Sequence, residues 1–252
     1  MGTTYHNKPI VTDGLVFYVD AANKVSYPGS GTTWDSLENS DNSVTLNNGP
    51  DFQSLGNGSI NFDGVSDIGI LNQDNSLDNS PTVFSIDMWV NVGNIGSKFI
   101  QFITNRHASD NKVTMSIGID NRRVVRTHNP SGNDYMVLVA SIANGSGAHY
   151  LYKKELFGTT NGDNQWHNVT GTYSKSDAEF KLYYDGILQM TSSPSIDLYN
   201  STANWRIGSG YSGDTSYTYD LVGNISGIKM YHKALTQAEV TQNYNALKNR
   251  FI

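Results

Sequence analysis

The sequence predicts an all-β fold, a two-sheet antiparallel jelly-roll sandwich closed by one short C-terminal helix. Three observations carry this. Short runs of β-branched and aromatic residues with period-two alternation recur along the 252 residues, separated by clusters of Gly, Asn, Ser and Asp. No linker divides them, and sandwiches of this length commonly form one domain. Only the end of the chain changes period: Leu235, Val240, Tyr244, Leu247 and Phe251 share one side of a 3.6-residue helix, with Gln237, Gln242, Asn245 and Lys248 around it.

The elements follow in chain order. Residues 1–12 read as an N-terminal arm and residues 13–252 as the single sandwich domain. Strands are expected at GLVFYVD and GSINFDG. In VFSIDMWVNV (83–92), Phe84, Ile86, Met88, Val90 and Val92 alternate with Ser85, Asp87, Trp89 and Asn91, so Trp89 lies on the face opposite Met88. KFIQFIT follows, then VTMSIGID (113–120), with Val113, Met115, Ile117 and Ile119 on one side. MVLVASIA (136–143) is apolar almost throughout, as in a strand covered on both faces. HYLYK and HNVTGTY come next, and KLYYDGILQ (181–189) holds Asp185-Gly186 between two β-prone runs, the strongest short-range hairpin signal. WRIG and SGIKMYH complete the strands. Thr236 followed by Glu239 is a capping box where the helical period begins.

Composition excludes several functions. The chain has no cysteine, which removes disulfides, thiolate metal sites and Cys nucleophiles. A net charge of -6 argues against nucleic acid or an anionic membrane as partner, since both require concentrated Lys and Arg. No apolar run reaches the 18 or so residues of a membrane span, and MGTTYHNKPI carries no signal-like stretch, so a soluble protein without membrane insertion is expected.

Catalytic patterns are also missing. Glu38, Glu155, Glu179 and Glu239 are isolated, whereas sandwich glycosidases need paired carboxylates about 5 to 5.5 Å apart or farther. His6, His107, His128, His149, His167 and His232 show no metal-ligand spacing, and no His-Glu-x-x-His or Gly-x-Ser-x-Gly occurs. His167 reads as a residue beside Trp166 at the start of a strand. The chain is therefore expected not to be an enzyme. Arg122, Arg123 and Arg126 read as a solvated strand edge. Sequons begin at Asn57, Asn144, Asn168, Asn200 and Asn224, in a chain whose Asn and Ser content produces them by composition.

Several segments resemble the laminin G-like kind of concanavalin A-like sandwich, over most of residues 13–251. FSIDMWVN is similar to an early family strand ending in Trp. NQWHNVTGTYSKSDAEFKLYYDGILQ is similar to its Trp-His strand and hairpin. WRIGSG and GNISGIKMYHKALTQAEVTQNYNA are similar to its closing strands and helix. At the front, GLVFYVDAANKVSYPGSGTTWDSLENSDN and GSINFDGVSD resemble laminin G-like proteins of tailed-phage virions, especially of marine and cyanobacterial hosts. The resemblance implies a virion protein with structural, decoration or fibre roles that self-associates into a homo-oligomer and whose partners are capsid, neck or fibre proteins and a cell-surface glycan.

Family members bind sugars on rim loops or across a concave sheet, often with calcium. Asp63, Asp67 and Asp220, with Asn61, are the candidate calcium ligands, against a reading in which Asp-Gly is turn chemistry and Asp67 bonds backbone amides. The family's closing segment usually has an acidic residue after G-x-I, where this chain has Ser226 in GNISGIK. Candidate sugar platforms are Tyr211, Tyr217 and Tyr219 in GSGYSGDTSYTYD, and Trp34 beside Asp35, since a pyranose stacks on an aromatic face while its hydroxyls seek amides and carboxylates. The alternative is that Trp34 plugs the end of the sandwich and the tyrosines cover its rim.

Overall fold

A computed structural model describes residues 8–72, 82–96, 98–106, 113–121, 137–144, 148–154, 162–199, 203–210 and 219–251. Tyr211, Tyr217, Arg122, Arg123, Arg126 and Asn200 lie outside these residues. The described residues form sixteen strands and one α-helix: β1 (Leu15–Asp20), β2 (Thr33–Asp35), β3 (Ser43–Asn47), β4 (Asp51–Gln53), β5 (Ser59–Asp63), β6 (Ile68–Asn72), β7 (Val83–Val92), β8 (Phe99–Thr104), β9 (Met115–Asp120), β10 (Val137–Ala143), β11 (Ala148–Lys154), β12 (Trp166–Ser174), β13 (Glu179–Tyr184), β14 (Ile187–Ser192), β15 (Arg206–Ile207), β16 (Val222–Tyr231) and α1 (Gln237–Leu247). The expected sandwich is found. The short strands β2, β3, β4 and β6 add to those read from sequence.

Every ladder is antiparallel. The first sheet runs β14-β13-β12-β7-β16-β5-β4, with β1 also paired to β16; the second runs β11-β10-β9-β8-β15-β6-β3-β2. A bulge between Ile225 and Gly227 divides β16, whose first half pairs with β5 and whose second half pairs with β1. The main core lies between the sheets and includes Phe17, Phe62, Phe84, Met88, Phe102, Ile117 and Ile228, which are all buried.

The alternation in β7 places Phe84 to Val92 in this core as expected, but the opposite face is covered too. Ser85, Asp87, Trp89 and Asn91 are all buried. A second apolar layer, built from Val11, Leu15, Tyr183, Tyr231, Leu235 and Val240, seals the outer side of the first sheet. Trp89 stacks on Tyr244 at 5.6 Å and on Phe251 at 4.2 Å, and Phe251 also meets Trp166 at 4.9 Å.

The helix starts where the sequence placed it. Thr236 Oγ1 accepts from the Glu239 N–H at 3.3 Å, while Glu239 Oε2 accepts from the Thr236 N–H at 2.9 Å. Asn243, absent from the apolar stripe, is fully buried: its Oδ1 accepts from Val11 N–H at 2.8 Å and its amide donates to Tyr231 Oη at 3.0 Å. Residues 9–11 of the arm are thereby pinned to the helix, with Gln242 donating to Pro9 O at 2.7 Å. The Asp185-Gly186 hairpin has φ of 50° and 76°, left-handed at both positions as a type I′ turn requires. Gly186 O accepts from Gln237 and Thr241, so the turn docks on α1.

Candidate functional site

The first sheet is covered by the arm and α1; on the outer side of the second sheet the polar side chains are buried too, Gln101, Ser116, Asp120, Asn121 and Ser141 being 4–5% exposed. The residues of this outer side come from strand alternation. Because Met115, Ile117 and Ile119 of β9 enter the core, Ser116, Gly118 and Asp120 face outward. Leu138, Ala140 and Ile142 of β10 do the same for Val139 and Ser141. In β8, a bulge between Gln101 and Ile103 lets Ile100, Phe102 and Ile103 all join the core, leaving Phe99 and Gln101 outward.

Ladder register assembles these into one surface. Phe99 pairs with Asp120, and Gln101 with Gly118. Ser116 pairs with Ser141, their hydroxyls 2.7 Å apart. Gly118 has a steric reason: a Cβ there would sit 2.2 Å from Ile100 O and 3.0 Å from Gln101 Oε1, so only glycine lets the Gln101 amide lie close over β9. Tyr219 joins from a distant segment. Its carbonyl accepts from Gln101 N–H at 3.0 Å, and its ring meets Phe99 edge-on at 5.9 Å and 90°. Beside Asp120, the Asn121 amide donates to Gly96 O. The half-buried rings of Phe99 and Tyr219 thus stand beside the buried Asp120 carboxylate and the buried Gln101 and Asn121 amides, aromatic and polar groups of the types that stack on a sugar face and bond its hydroxyls.

Of the expected sugar residues, Tyr219 belongs to this surface, and Tyr211 and Tyr217 lie outside the described residues. Trp34 is 0% exposed and lies in the main core, so it plugs the sandwich and offers no ring to a ligand; the platform role is corrected. Asp35 is exposed and pairs with Ser43, which pairs with Asn72. Asp67 lies beyond the other end of the same ladder, where Asn47 meets Ile68, so the length of β3, about 13 Å, separates Asp35 from the acidic corner.

That corner holds Asp63, Asp67 and Asp220, the expected calcium ligands. Asp67, 4% exposed, accepts from Asp63 N–H at 3.0 Å, and Asp63 accepts from Val65 N–H at 2.8 Å. Asp220, 1% exposed, accepts from Ser209 Oγ at 2.6 Å. Burial, and then the carboxylates of Asp63, Asp51 and Asp220, push the Asp67 carboxyl above the ordinary aspartate value, against the opposing hydrogen bond from Asp63. Among the described residues no three Asp, Glu or His side chains converge as metal ligands. The bonds described for Asp63, Asp67 and Asp220 are turn, backbone and hydroxyl bonds, the alternative reading of these residues. Asn61 donates instead to Asn224 Oδ1 at 3.3 Å.

Ser226, at the family's acidic position, is bonded internally. Its hydroxyl donates to Gly58 O at 2.7 Å and accepts from Arg250 at 2.8 Å, while Arg250 also pairs with Asp20 at 2.7 Å. A cationic side chain from the C-terminal segment is thus held by Asp20 and Ser226. The sequons at Asn168 and Asn224 are buried, so neither amide is open to glycosylation in the folded chain.

His167 has a richer setting than a strand-start residue. Its Nδ1 lies 2.8 Å from Asp185 and its Nε2 lies 3.0 Å from Asp163, with the ring stacked on Tyr184 at 4.6 Å. Burial opposes its charge, but hydrogen bonds and attraction from Asp185 and then Asp163 prevail and raise its pKa.

Comparison with known proteins fits this architecture. A family model described as the concanavalin A-like lectin/glucanase superfamily, of laminin G type, matches residues 39–241. The chain belongs to this superfamily. Among solved structures, the binding domain of botulinum neurotoxin serotype D/C is similar with a TM-score of 0.65 and 14% identity over 93% of this chain and 52% of that one. Botulinum neurotoxin type C, whose cell entry depends on interaction with two ganglioside molecules, gives 0.65 and 15% over 93% and 51%. The binding domain of Paraclostridial Mosquitocidal Protein 1 gives 0.65 and 12% over 92% and 52%. The chain spans about half the length of these domains, and at such identity the likeness is one of fold. No curated protein sequence matched. Among the described residues, no helix is long and apolar enough to cross a membrane.

Proposed function

We propose that this chain is a non-enzymatic recognition domain that binds a cell-surface glycan on the outer face of its second sheet. The observation that carries this reading is the juxtaposition of Phe99 and Tyr219 with Gln101, Asp120 and Asn121, from three separate stretches of sequence. Superfamily membership and the fold shared with receptor-binding domains support it. The rings supply stacking and the polar groups supply direction, with no group asked to form or break a bond. Weak single sites of this kind gain strength in an oligomer, where several engage one surface.

The test is a glycan array with the wild type, Tyr219→Ala and Asp120→Asn. The wild type is expected to bind a restricted set of glycans, and each variant to lose at least tenfold in apparent affinity while keeping the wild-type melting temperature within a few degrees. Unaltered binding by both folded variants overturns the site.

The resemblance of residues 14–42 and 58–67 to phage virion proteins favours a second, compatible reading. In it the domain is a decoration, neck or fibre-associated component exposed on a particle, where glycan binding serves adhesion. Purified particles would then contain the chain at fixed stoichiometry.

A further inference from the structure

The arm and α1 cover a face of the first sheet and leave its margins open. An edge strand presents unpaired backbone N–H and C=O groups, and folded proteins blunt such edges with charge, brevity or a covering segment. Most margins of this sandwich are blunted in these ways. β4 (Asp51–Gln53) and β2 (Thr33–Asp35) are three residues long, and each carries an exposed aspartate, Asp51 or Asp35. β11 ends on Lys153 and Lys154. β1, which pairs with β16 on one side, is covered on the other: Tyr18 O accepts from Leu37 N–H at 2.6 Å, and Asp20 N–H donates to Ser26 Oγ at 3.0 Å.

β14 (Ile187–Ser192) is the exception. It is the outermost strand of the first sheet, six residues long, and its sequence ILQMTS holds no charge and no proline. Ile187 and Leu188 are 64% and 41% exposed, the one pair of sequence neighbours among the exposed large apolar residues described. Apart from the β13 ladder, the hydrogen bond described for β14 runs within the strand, from Gln189 Nε2 to Ile187 O at 3.3 Å. The charged side chains of the adjoining strand and turn are matched inside the chain, Lys181 with Glu179 and Asp185 with His167. A bulge at Gln189, opposite the Leu182–Tyr183 step, bends the strand, and Met190 to Ser192 beyond it stay in register with Leu182 to Phe180.

The backbone of a free edge is satisfied by one kind of occupant, another strand. We propose that this occupant is β14 of a second copy of the chain, paired antiparallel about a two-fold axis so that the first sheets of two protomers join into one. An uncharged strand suits itself as a partner, because no residue is repelled when the same segment meets itself across the axis. In such a pair the Ile187–Leu188 end of each strand meets the Thr191–Ser192 end of the other, which takes the exposed apolar pair out of water. The contact is narrow, one short strand from each protomer, so the dimer forms and dissociates with concentration. It does not depend on the glycan reading, and it sets two copies of the Phe99–Tyr219 surface in one assembly.

Sedimentation equilibrium of the whole chain across a hundredfold range of concentration tests this, with Leu188→Lys, Thr191→Lys and, on the short edge β4, Gln53→Lys. All three positions are exposed, so each lysine stays out of the core. The wild type is expected to move from the 27.7 kDa of one chain towards twice that mass as concentration rises. Either β14 lysine, brought against its own copy across the axis, is expected to weaken association at least tenfold with unchanged circular dichroism, and Gln53→Lys to associate as the wild type does. Amide exchange of the wild type gives a second reading that needs no variant: protection of residues 187–192 is expected to rise with concentration. A wild type that stays at one chain throughout, association that survives both β14 lysines or is weakened as much by Gln53→Lys, or concentration-dependent protection that spares residues 187–192 overturns the proposal.

Discussion

At the scale of single residues, His167 gives the protein a predictable response to pH. Only the imidazolium can donate to Asp185 and Asp163 together, since a neutral ring has one N–H. Its folded pKa is raised, so its contribution is fully present below the ordinary imidazole value near 6.5 and is lost as pH rises through the higher folded value. Stability is expected to fall over that window, and His167→Gln to flatten the profile in thermal melts taken from about pH 6 to pH 8. Asp67 has the opposite significance for its corner. A carboxyl whose folded pKa is raised stabilises the fold when protonated and loses that contribution as pH rises, so ionised Asp67 is a burden at neutral pH. Asp67→Asn keeps an oxygen for the Asp63 N–H and is expected to match or exceed the wild-type melting temperature at pH 7, with no effect of calcium or chelator on either protein. A calcium-dependent stability that the substitution abolishes would support the metal assignment. The sequence offered both readings of Asp67 because a carboxylate before a turn serves either purpose. What it could not show was that each nearby acid already has a donor within the chain. For His167, Asp163 lies four residues earlier and was visible, but Asp185 approaches only through the pairing of β12 with β13.

At the scale of elements, the helix and the hairpin were the most legible parts because their signals are local. Thr236 and Glu239 determine the start of α1, and Asp185-Gly186 determines the turn, without reference to anything distant. Thr236→Ala removes the side-chain acceptor for Glu239 N–H and is expected to cost about 1 kcal/mol in denaturant unfolding. Ending the chain after Lys233 is a far larger change, since it strips Leu235, Val240, Tyr244 and Phe251 from the outer layer and uncovers Trp89, Trp166 and the Asp87–Lys229 pair. At roughly 1.5–3 kcal/mol for each large apolar side chain, the loss rivals the whole stability of an ordinary domain. The truncated chain is expected to be insoluble or unfolded, and a soluble product with unchanged melting would contradict the role given to this layer. The polar positions of β7 were less legible. Their alternation correctly separated two faces, yet period two cannot say whether a terminal helix later covers the second one.

At the scale of the whole molecule, the sandwich is covered by the arm and α1 on one side and sets the half-buried Phe99 and Tyr219 beside buried polar groups on the other. The fold class was readable because alternation repeats in nearly every strand. The binding surface was not, because Phe99, Gln101, Asp120 and Tyr219 meet only through ladder register and a return of the chain more than a hundred residues later. The alternation in VTMSIGID had already put Asp120 outside; nothing local linked it to Tyr219. Trp34 shows the converse error, since an aromatic residue beside an acid in a polar loop has the composition of a sugar platform while its side chain fills the core. The most direct test of the recognition surface is an NMR titration of the labelled protein with the best-bound glycan. Shifts confined to the amides of residues 99–101, 118–121 and 219, with those of β16 and α1 unmoved, are the predicted result. Shifts that spare this face and cluster elsewhere, or none at saturating glycan, would contradict the account.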